Sequence, residues 1–170
     1  MNQIENSTVK DINEILHLYQ DAREYQYKKE SVVWPNIPIS MITQEIIDKH
    51  QWKLIINGKI AGIWATTFQD PLIWEDRNVD PSVYLHRIAL NPDFRGQKIV
   101  KEIIEWSKIF AKSEEKQFIR LDTVGENQGL IKYYTSCGFD YLGMVNLKDT
   151  SSLPAHYAKA PVCLFQMSTE

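Results

Sequence analysis

The sequence predicts an α/β fold in which helices flank a mixed, mostly antiparallel sheet. The predicted elements follow the order β-α-α-β-β-β-α-β-α-β-β. Two β-rich runs flank Asn57-Gly58, a dipeptide that favours a tight hairpin turn and hence an antiparallel pair. Residues 83–124 form a strand–helix–strand unit, which requires two parallel strands. At 170 residues, the chain has the size of a single domain, and we expect residues 1–170 to form one.

The first half of the chain supplies a strand, two helices and the hairpin. Residues 2–7 are expected to form the first strand. Residues 10–27 carry apolar side chains at helical spacing, with Thr8 as the N-cap. A proline-containing stretch follows, and Ser40 is expected to cap a second helix that runs through His50.

The second half supplies the parallel unit and the last strands. The segment SVYLHRIAL at 82–90 is apolar enough to be a strand buried on both faces. Gly96 is expected to open a helix that ends near Ser113. The remaining elements are expected to be a strand at 118–124, a helix at 128–137 stopped by Gly138, and strands at 139–145 and 160–168. The polar connection before the last strand is long enough to be mobile.

The composition excludes several classes of protein. The net charge is −3 and no Lys/Arg cluster is present, so we expect no nucleic-acid partner. No apolar run could span a bilayer and the first residues do not resemble a signal peptide, so we expect no membrane partner. Cys137 and Cys163 do not form a disulfide scaffold, and the simplest interpretation is two reduced thiols in the cytoplasm. Aromatic residues make up 11% of the chain, enough to line a pocket as well as a core.

A candidate phosphate site lies after the strand at 82–90. The chain runs through Asn-Pro-Asp-Phe-Arg-Gly into a helix, whose free backbone N–H groups favour an anion. Arg95 and Lys98 add positive charge, and Gly96 allows the backbone to approach a ligand closely. Taken alone, the pattern fits equally well an ordinary turn with exposed basic side chains.

Two longer segments, of which the first contains this pattern, resemble those of a known protein family. The segments IALNPDFRGQKIVKEIIEWS and LDTVGENQGLIKYYTSCGF together resemble the GNAT superfamily of acyl-CoA-dependent N-acyltransferases. Asn127, with Tyr134 seven positions later and then Cys-Gly-Phe, matches the family's Asn…Tyr-x-x-x-Gly-Phe pattern. The resemblance is good over residues 83–143, and the whole element order fits the family fold, in which two neighbouring parallel strands splay apart.

The resemblance implies an acetyl-CoA site. The backbone of Ile88 and Leu90 is expected to pair with the acyl carbonyl and the pantetheine amides, and the Asn127 side chain is expected to contact the pantetheine arm. Backbone N–H groups from residues 95–100 are expected to hold the pyrophosphate; the cofactor-binding candidates there are Arg95, Gly96, Gln97, Lys98 and Val100. Lys98 and Val100 depart from the family pattern, which usually has small residues at these two positions. Val100 in particular raises the question of whether its side chain blocks the phosphate.

The chemistry of acyl transfer suggests two catalytic residues. By the resemblance, Tyr134 lies near the sulfur, and its phenol, with an ordinary pKa of roughly 10, can protonate a leaving thiolate. The Ile88 N–H is the expected donor to the oxyanion. His86 lies two positions before Ile88, which in a regular strand places both side chains on one face, and it is the candidate base. The alternatives are a packing role for Tyr134, and for His86 a buried hydrogen-bonded ring or a water relay through Tyr84.

The acceptor pocket is less well defined by the sequence. Trp34 and Trp74 lie in predicted loops beside prolines, and with Glu75 and Tyr84 they are the candidates for binding an amine. Trp64 is expected to be core. The four histidines are scattered and neither cysteine is spaced to join them, so we expect no metal.

The sequence therefore predicts an N-acetyltransferase that moves the acetyl group of acetyl-CoA, its acyl-donor co-substrate, to a primary amine of a small molecule. A non-catalytic acyl-CoA binder or sensor is the alternative. The final strands also leave open a homodimer formed by strand pairing.

Overall fold

Seven β-strands and five α-helices make up residues 2–170, the part of the chain that the computed structural model describes. The strands are β1 (Gln3–Asn6), β2 (Gln51–Ile56), β3 (Lys59–Thr67), β4 (Ser82–Leu90), β5 (Phe118–Val124), β6 (Asp140–Val145) and β7 (Val162–Ser168). The helices are α1 (Ile12–Lys28), α2 (Ile39–Ile47), α3 (Pro71–Trp74), α4 (Ile99–Ser113) and α5 (Gln128–Ser136). Short 3₁₀ turns lie at Val9–Asp11, Glu75–Val79, Pro92–Phe94 and Ala155–Ala158.

The strands form one mixed sheet in the order β1-β2-β3-β4-β5-β7-β6. All neighbouring pairs are antiparallel except β4 and β5, which are parallel. The β2–β3 hairpin turns at Asn57 and Gly58, whose φ angles of 51° and 76° suit the tight primed turn that this dipeptide favours. The predicted α/β class with a mixed, mostly antiparallel sheet is therefore confirmed.

Helices cover both faces of this sheet. On one face, which we call the α1 face, Ile15 and Leu18 of α1 and Ile42 of α2 belong to the same buried cluster as Ile63 and Ala89 of the sheet. On the other, the α4 face, the apolar side of α4 packs against β4 and β5, and α5 packs beside it. The main buried residues of the α4 face are Ile99, Ile103 and Ile104 of α4, Val83 and Leu85 of β4, and Ile119 and Leu121 of β5. Alternation along β4 places Tyr84 and the short helix α3 on the α1 face.

The parallel strands β4 and β5 pair over only three residues each. Ser82–Tyr84 lie opposite Phe118–Arg120, and beyond Tyr84 no residue of β4 pairs with β5. Both strands continue, β4 to Leu90 along β3 and β5 to Val124 along β7. A gap therefore opens in the middle of the sheet, as expected for the splayed pair.

A β-bulge interrupts β4 inside this gap. Ala65 lies opposite His86 and Ile63 lies opposite Ala89, so β4 carries one extra residue there. At the bulge, Arg87 has a strained, positive φ of 49°. Its guanidinium is held by the carboxylate of Glu45 on α2.

The bulge reverses one prediction. A regular strand would place the side chains of His86 and Ile88 on one face, but the extra residue shifts the alternation. Ile88 instead packs in the α4-face cluster, whereas His86 lies on the α1 face with Tyr84. The expectation that His86 and Ile88 share a face is therefore wrong.

A buried arginine fixes the closed end of the gap. Arg120, which lies opposite Tyr84 at the last paired position, is 1% exposed. Its guanidinium donates to the Asp80 carboxylate at 2.7 Å, to the backbone C=O of Arg77 at 2.6 Å and to the Tyr84 hydroxyl at 3.2 Å. It also stacks 4.6 Å from the ring of Trp74. Since these contacts reach the segment that precedes β4, Arg120 joins both strands and α3 into one unit.

Much of the aromatic content is core. Trp64 is fully buried, as predicted, and its ring lies 5.2 Å from that of Trp106 on α4. Trp52 lies 4.6 Å from Trp106, and Phe110 stacks on the same indole at 4.9 Å. Three of the five tryptophans therefore belong to the contact between α4 and the sheet.

Three predicted helix starts differ from the observed ones. The helix expected at Gly96 begins at Ile99, because Gly96 has a φ of 82° that no α-helix accepts. Thr8 begins a 3₁₀ turn, where its N–H donates to Asp11 at 2.7 Å, and α1 follows from Ile12. Ser40 lies inside α2, which follows Pro38 directly.

No helix within residues 2–170 has both the length and the apolar character that crossing a bilayer requires.

We expect the substitution Arg120→Met to destabilise the fold by about 3 kcal/mol, because it removes the buried cation that joins the closed end of the gap. Arg77→Met is the matched control, since this neighbouring arginine is exposed and its substitution should cost at most about 0.5 kcal/mol. Urea denaturation followed by tryptophan fluorescence measures both. Equal effects of the two substitutions would contradict the role of Arg120.

Candidate active site

The edge of β4 that faces the gap carries unpaired backbone groups. Asn91 donates its N–H to the C=O of Ala61 on β3, at 2.9 Å. Backbone groups of successive residues in a strand point to opposite sides, so Leu90 and Ile88 direct theirs away from β3. No residue of β5 reaches them there. The two residues predicted to bind the pantetheine arm and the acyl carbonyl therefore present free donors and acceptors to the gap.

The start of α4 supplies a second group of free donors. Lys98, the N-cap residue, makes no side-chain hydrogen bond to the first turn. Five backbone N–H groups between residues 96 and 101 have no backbone partner within residues 2–170. They are those of Gly96, Lys98, Ile99, Val100 and Lys101. A helix start without a cap is a ready anion site, because its N–H groups and its dipole both favour negative charge.

Two of the predicted phosphate donors are already committed. The N–H of Arg95 donates to Pro92 and that of Gln97 donates to Phe94, each at 3.2 Å, inside the turn before α4. Their side chains are exposed, and the Arg95 guanidinium lies 5.0 Å from the ring of Tyr25 on α1. Arg95 thus supplies charge through its side chain, and the backbone donors come from its neighbours.

The two residues that depart from the family pattern do not fill the anion site. Val100 is 9% exposed and packs in the α4-face cluster, so its side chain points into the core and its N–H stays free. Lys98 is exposed, which leaves its ammonium group available to an anion. The concern that Val100 blocks the phosphate is removed by this arrangement.

Asn127 is the N-cap residue of α5, at the end of β5. Its side-chain oxygen accepts the Leu130 N–H at 3.1 Å. The amide nitrogen has no partner among the described residues, so it is free to donate to a ligand in the gap. The cap explains the residue type at this position, and the contact with pantetheine stays a prediction.

Tyr134 is half-buried on α5, on the α4 face of the gap. Its ring packs 5.3 Å from Phe165 of β7 and 5.9 Å from Phe139. Its hydroxyl has no hydrogen-bond partner within residues 2–170. Burial, with smaller contributions from Tyr133 and Cys137, raises the pKa of Tyr134 above its ordinary value, so the hydroxyl stays protonated at neutral pH.

His86 lies at the centre of a polar cluster on the α1 face. Its Nε2 and the Thr67 hydroxyl are 2.8 Å apart. One carboxylate oxygen each of Asp70 and Asp122 and a ring nitrogen of His86 all lie within 4.8 Å of one another. Tyr157, from the connection between β6 and β7, donates its hydroxyl to Asp122 at 2.8 Å.

Sequence reasoning found only His86 of this cluster. Asp70 precedes α3, Asp122 lies in β5 beyond the last pair with β4, and Tyr157 lies in the connection expected to be mobile. No sequence spacing links them, and the folding of β4 and β5 brings them together. The cluster is also the set that offers ligand atoms to a cation, although no metal was expected from the scattered histidines.

The local environment makes these groups unusual acids and bases. Burial raises the pKa of Asp70 to about 7, with repulsion from Asp122 adding to the shift. Burial also raises the pKa of Asp122 to about 6, against the hydrogen bond from Tyr157. Burial lowers the pKa of His86 to about 3, with Arg87 and His50 acting in the same direction. The imidazole is therefore neutral and weakly basic at physiological pH, and the carboxyls titrate near neutrality.

The four predicted acceptor-site residues lie in two places. Trp74 and Glu75 line a cavity of about 480 Å³ between α3 and the ends of β6 and β7. Trp74 belongs to α3, not to a loop, and is 1% exposed; the ring of Tyr84 lies 5.7 Å from it. Trp34 packs elsewhere, with its ring 6.3 Å from Tyr19 of α1.

One residue of the cavity lining neighbours the cluster of His86. Leu164 of β7 lines the cavity and lies directly opposite Asp122 in the sheet. Opposite residues of neighbouring strands point to the same face, so the side chains of Leu164 and Asp122 lie side by side on the α1 face.

Comparison with known proteins agrees with this geometry. The sequence model described as "Acetyltransferase (GNAT) family" matches residues 12–139, three quarters of the chain. The chain belongs to the GNAT acetyltransferase family. It is 29% identical over 141 residues to the uncharacterized N-acetyltransferase MJ1207 of Methanocaldococcus jannaschii, covering 81% of this chain and 60% of that relative.

Two solved structures of GNAT-type acetyltransferases share the fold. A GNAT family acetyltransferase from Listeria monocytogenes superposes with a TM-score of 0.80 at 23% identity, covering 98% of this chain and 94% of the other. The structure of yncA from Salmonella typhimurium, solved with its cofactor acetyl-CoA, superposes with a TM-score of 0.70 at 12% identity, covering 100% of this chain and 95% of the other. At these identities the likeness establishes the fold.

We expect Asp70→Asn to stabilise the GNAT domain at pH 8. Below about pH 4 the carboxyl is protonated in both the folded and unfolded states. As the pH rises towards the folded-state pKa of about 7, the unfolded chain loses the proton first and the folded state is penalised. Asparagine has no such penalty, so a gain of ~1 kcal/mol would raise the melting temperature by about 2–4 °C.

Thermal unfolding at several pH values, followed by circular dichroism, measures this effect. Asp76→Asn, on an exposed side chain of the same segment, serves as the control and should change little. A gain by Asp70→Asn that is equally large at pH 4 would show that the carboxyl is not held in an environment that disfavours its charge.

Proposed function

We propose that this GNAT protein transfers the acetyl group of acetyl-CoA to a primary amine of a small molecule, with Tyr134 as the general acid. The observation that carries the proposal is the unpaired edge of β4 beside the uncapped start of α4. Together they offer hydrogen-bond donors and acceptors for an extended amide-containing chain and N–H groups for its phosphates.

The residues of the gap fit acetyl-CoA. Ile88 and Leu90 would bind the carbonyl and the amides, and the N–H groups of Gly96 and Lys98 through Lys101 would bind the pyrophosphate. Arg95 and Lys98 would add charge around the phosphates, and Asn127 would contact the pantetheine arm through its free amide nitrogen. Acetyl-CoA supplies an activated acyl group, and these residues bind and orient it.

The proton-handling groups lie on opposite faces of the sheet. Tyr134 is on the α4 face and His86 on the α1 face, and the gap between β4 and β5 connects the two. This separation supports direct attack: the amine approaches from the α1 face, loses its proton there, and the sulfur receives a proton from the other face. The N–H of Ile88, on the gap edge, would donate to the carbonyl oxygen as negative charge develops on it.

Burial keeps Tyr134 protonated at neutral pH, as a proton donor must be, and it also makes the phenol a weaker acid. A buried phenol holds its proton until a strong base forms beside it, and burial makes a leaving thiolate more basic as well. Tyr134 would therefore donate only as the bond to sulfur breaks.

The cavity beside the cluster supports a small acceptor. Its volume of about 480 Å³ is in the range of small-molecule sites, and Glu75 supplies a carboxylate to its lining, 3.2 Å from the ammonium group of the exposed Lys148. Trp74 is 1% exposed and Arg120 already stacks on its ring, so of these two residues only Glu75 offers a contact to the cationic group of an amine.

We expect Tyr134→Phe to lower kcat about 100-fold with the dissociation constant of acetyl-CoA unchanged, because the phenylalanine keeps the packing and loses the proton. Tyr133→Phe, one residue away and exposed, is the matched control and should retain full activity. Thiol release from acetyl-CoA across a panel of primary amines, with calorimetry for binding, provides both quantities.

The outcomes separate the candidate functions. If Tyr134→Phe is as fast as the wild type on a good acceptor, Tyr134 is not the acid. Binding of acetyl-CoA without turnover on any amine would favour the acyl-CoA sensor. Absence of binding at millimolar acetyl-CoA would contradict both.

We expect Arg95→Ala and Lys98→Ala each to weaken acetyl-CoA binding about fivefold at low salt, or ~1 kcal/mol, because each removes a positive charge beside the phosphates. The losses should shrink at high ionic strength. Lys112→Ala, in the last turn of the same helix, should have no effect. Equal losses from all three substitutions in calorimetry would place the phosphates elsewhere.

A further inference from the structure

We propose that Asp70 and Asp122 form the subsite that binds the acceptor amine as an ammonium ion and takes its proton, with Tyr157 positioning Asp122. This inference rests on the proposed acetyl transfer and assigns its base, for which the sequence suggested His86. It also defines the acceptor class as amines that are protonated at neutral pH.

The carboxylates lie where an attacking amine would arrive. Asp122 belongs to the part of β5 beyond its last pair with β4, so it borders the gap, and its direct neighbour on β7, Leu164, lines the cavity. Asp70 approaches the same point from the start of α3, within 4.8 Å of Asp122 and His86. An ammonium group between the two would contact both carboxylates while its nitrogen faced the gap.

The hydrogen bonds of the cluster leave room for this ligand. Asp122 accepts from Tyr157 through one oxygen. The Oδ2 atom of Asp70 is buried and has no hydrogen-bond partner within residues 2–170. A buried carboxylate oxygen without a donor is costly, and an ammonium donor would remove that cost.

His86 is less suited to be the base. Its Nε2 is engaged with Thr67, and its lowered pKa makes the neutral ring a weak proton acceptor. Each carboxylate of the pair, with a pKa of about 6 or 7, is a much stronger base, and two such groups within 4.8 Å titrate as a unit.

Several other titratable groups face the pair or its neighbours. Arg87 of β4 is held by Glu45 of α2 and lies near Tyr19 of α1, and its charge adds to the effect of burial in lowering the pKa of His86. The surrounding groups are His86 and Arg87 of β4, Tyr157 and His156 of the 3₁₀ turn before β7, and His50 before β2.

The reaction balances with these groups. The ammonium gives one proton to the carboxylate pair, which releases it to solvent. The neutral nitrogen then bonds to the carbonyl carbon, and the carbon–sulfur bond breaks with its electron pair on sulfur. Tyr134 protonates the sulfur, and the second proton leaving the nitrogen restores Tyr134 through solvent. One acetyl group is transferred and one proton is released overall.

The test compares Asp70→Asn, Asp122→Asn and Tyr157→Phe with two acceptors, an alkylamine that is protonated at neutral pH and a weakly basic amine that is already neutral. Asp140→Asn, an exposed carboxylate of β6, is the control. We expect each asparagine variant to lower kcat/KM for the alkylamine about 100-fold or more and for the neutral amine less than about tenfold. Acetyl-CoA binding should not change.

The pH profile gives a second readout. Wild-type activity on the alkylamine should rise through an apparent pKa between about 6 and 7. The Tyr157 hydroxyl stabilises the charged form of Asp122. Tyr157→Phe should therefore shift the rising part of the pH profile to higher pH and preserve the maximum rate.

The outcomes distinguish a failure of the proposed function from a failure of this inference alone. No turnover by the wild type with any amine overturns the proposed function and this inference with it. Turnover that both asparagine variants retain, or equal losses on the two acceptors with an unchanged pH profile, overturns this inference alone. If Tyr157→Phe does not shift the rising part of the pH profile, the positioning role of Tyr157 is overturned.

Discussion

The three-residue pairing of β4 with β5 is the constraint on which the site depends. If the two parallel strands stayed paired, their backbone groups would satisfy each other and the centre of the sheet would be closed. Arg120 holds the paired end of β4 and β5 together through its hydrogen bonds to Tyr84 and Asp80. The bulge at Arg87 directs the rest of β4 away from β5. The backbone groups left unpaired by this parting are the ones that a ligand can use.

The separation of β4 from β5 also determines where proton donors and acceptors can reach a ligand. A continuous sheet would isolate its two faces, but here Tyr134 on the α4 face and the carboxylates on the α1 face border one opening. Burial acts on each group in the direction that favours its neutral form, which keeps the phenol protonated and moves the carboxyls towards neutral pH. The same apolar surroundings thus prepare a proton donor and a proton acceptor from ordinary side chains.

Local signals in the sequence were sufficient for most of the fold and for the anion site. The Asn57-Gly58 turn, the apolar stripes of the helices and the strand–turn–helix around Gly96 all depend on neighbouring residues, and every strand and every helix except the short α3 was predicted within a few positions. The bulge was not predictable, because its extra residue is held by Glu45 on a different helix. The pairing of Asp70 with Asp122 was missed for the same reason: only the tertiary structure brings them within reach of each other.

The central claim is that the unpaired edge of β4 and the start of α4 bind acetyl-CoA through the backbone. Amide hydrogen exchange by nuclear magnetic resonance, with and without acetyl-CoA, measures this most directly. Exchange should slow at the N–H groups that are free in the gap, those of Ile88, Leu90, Gly96, Lys98, Ile99, Val100 and Lys101. It should change much less at Arg95 and Gln97, whose N–H groups are already bonded. Saturating acetyl-CoA that leaves the free amides unprotected, or protects a different surface, would contradict the account.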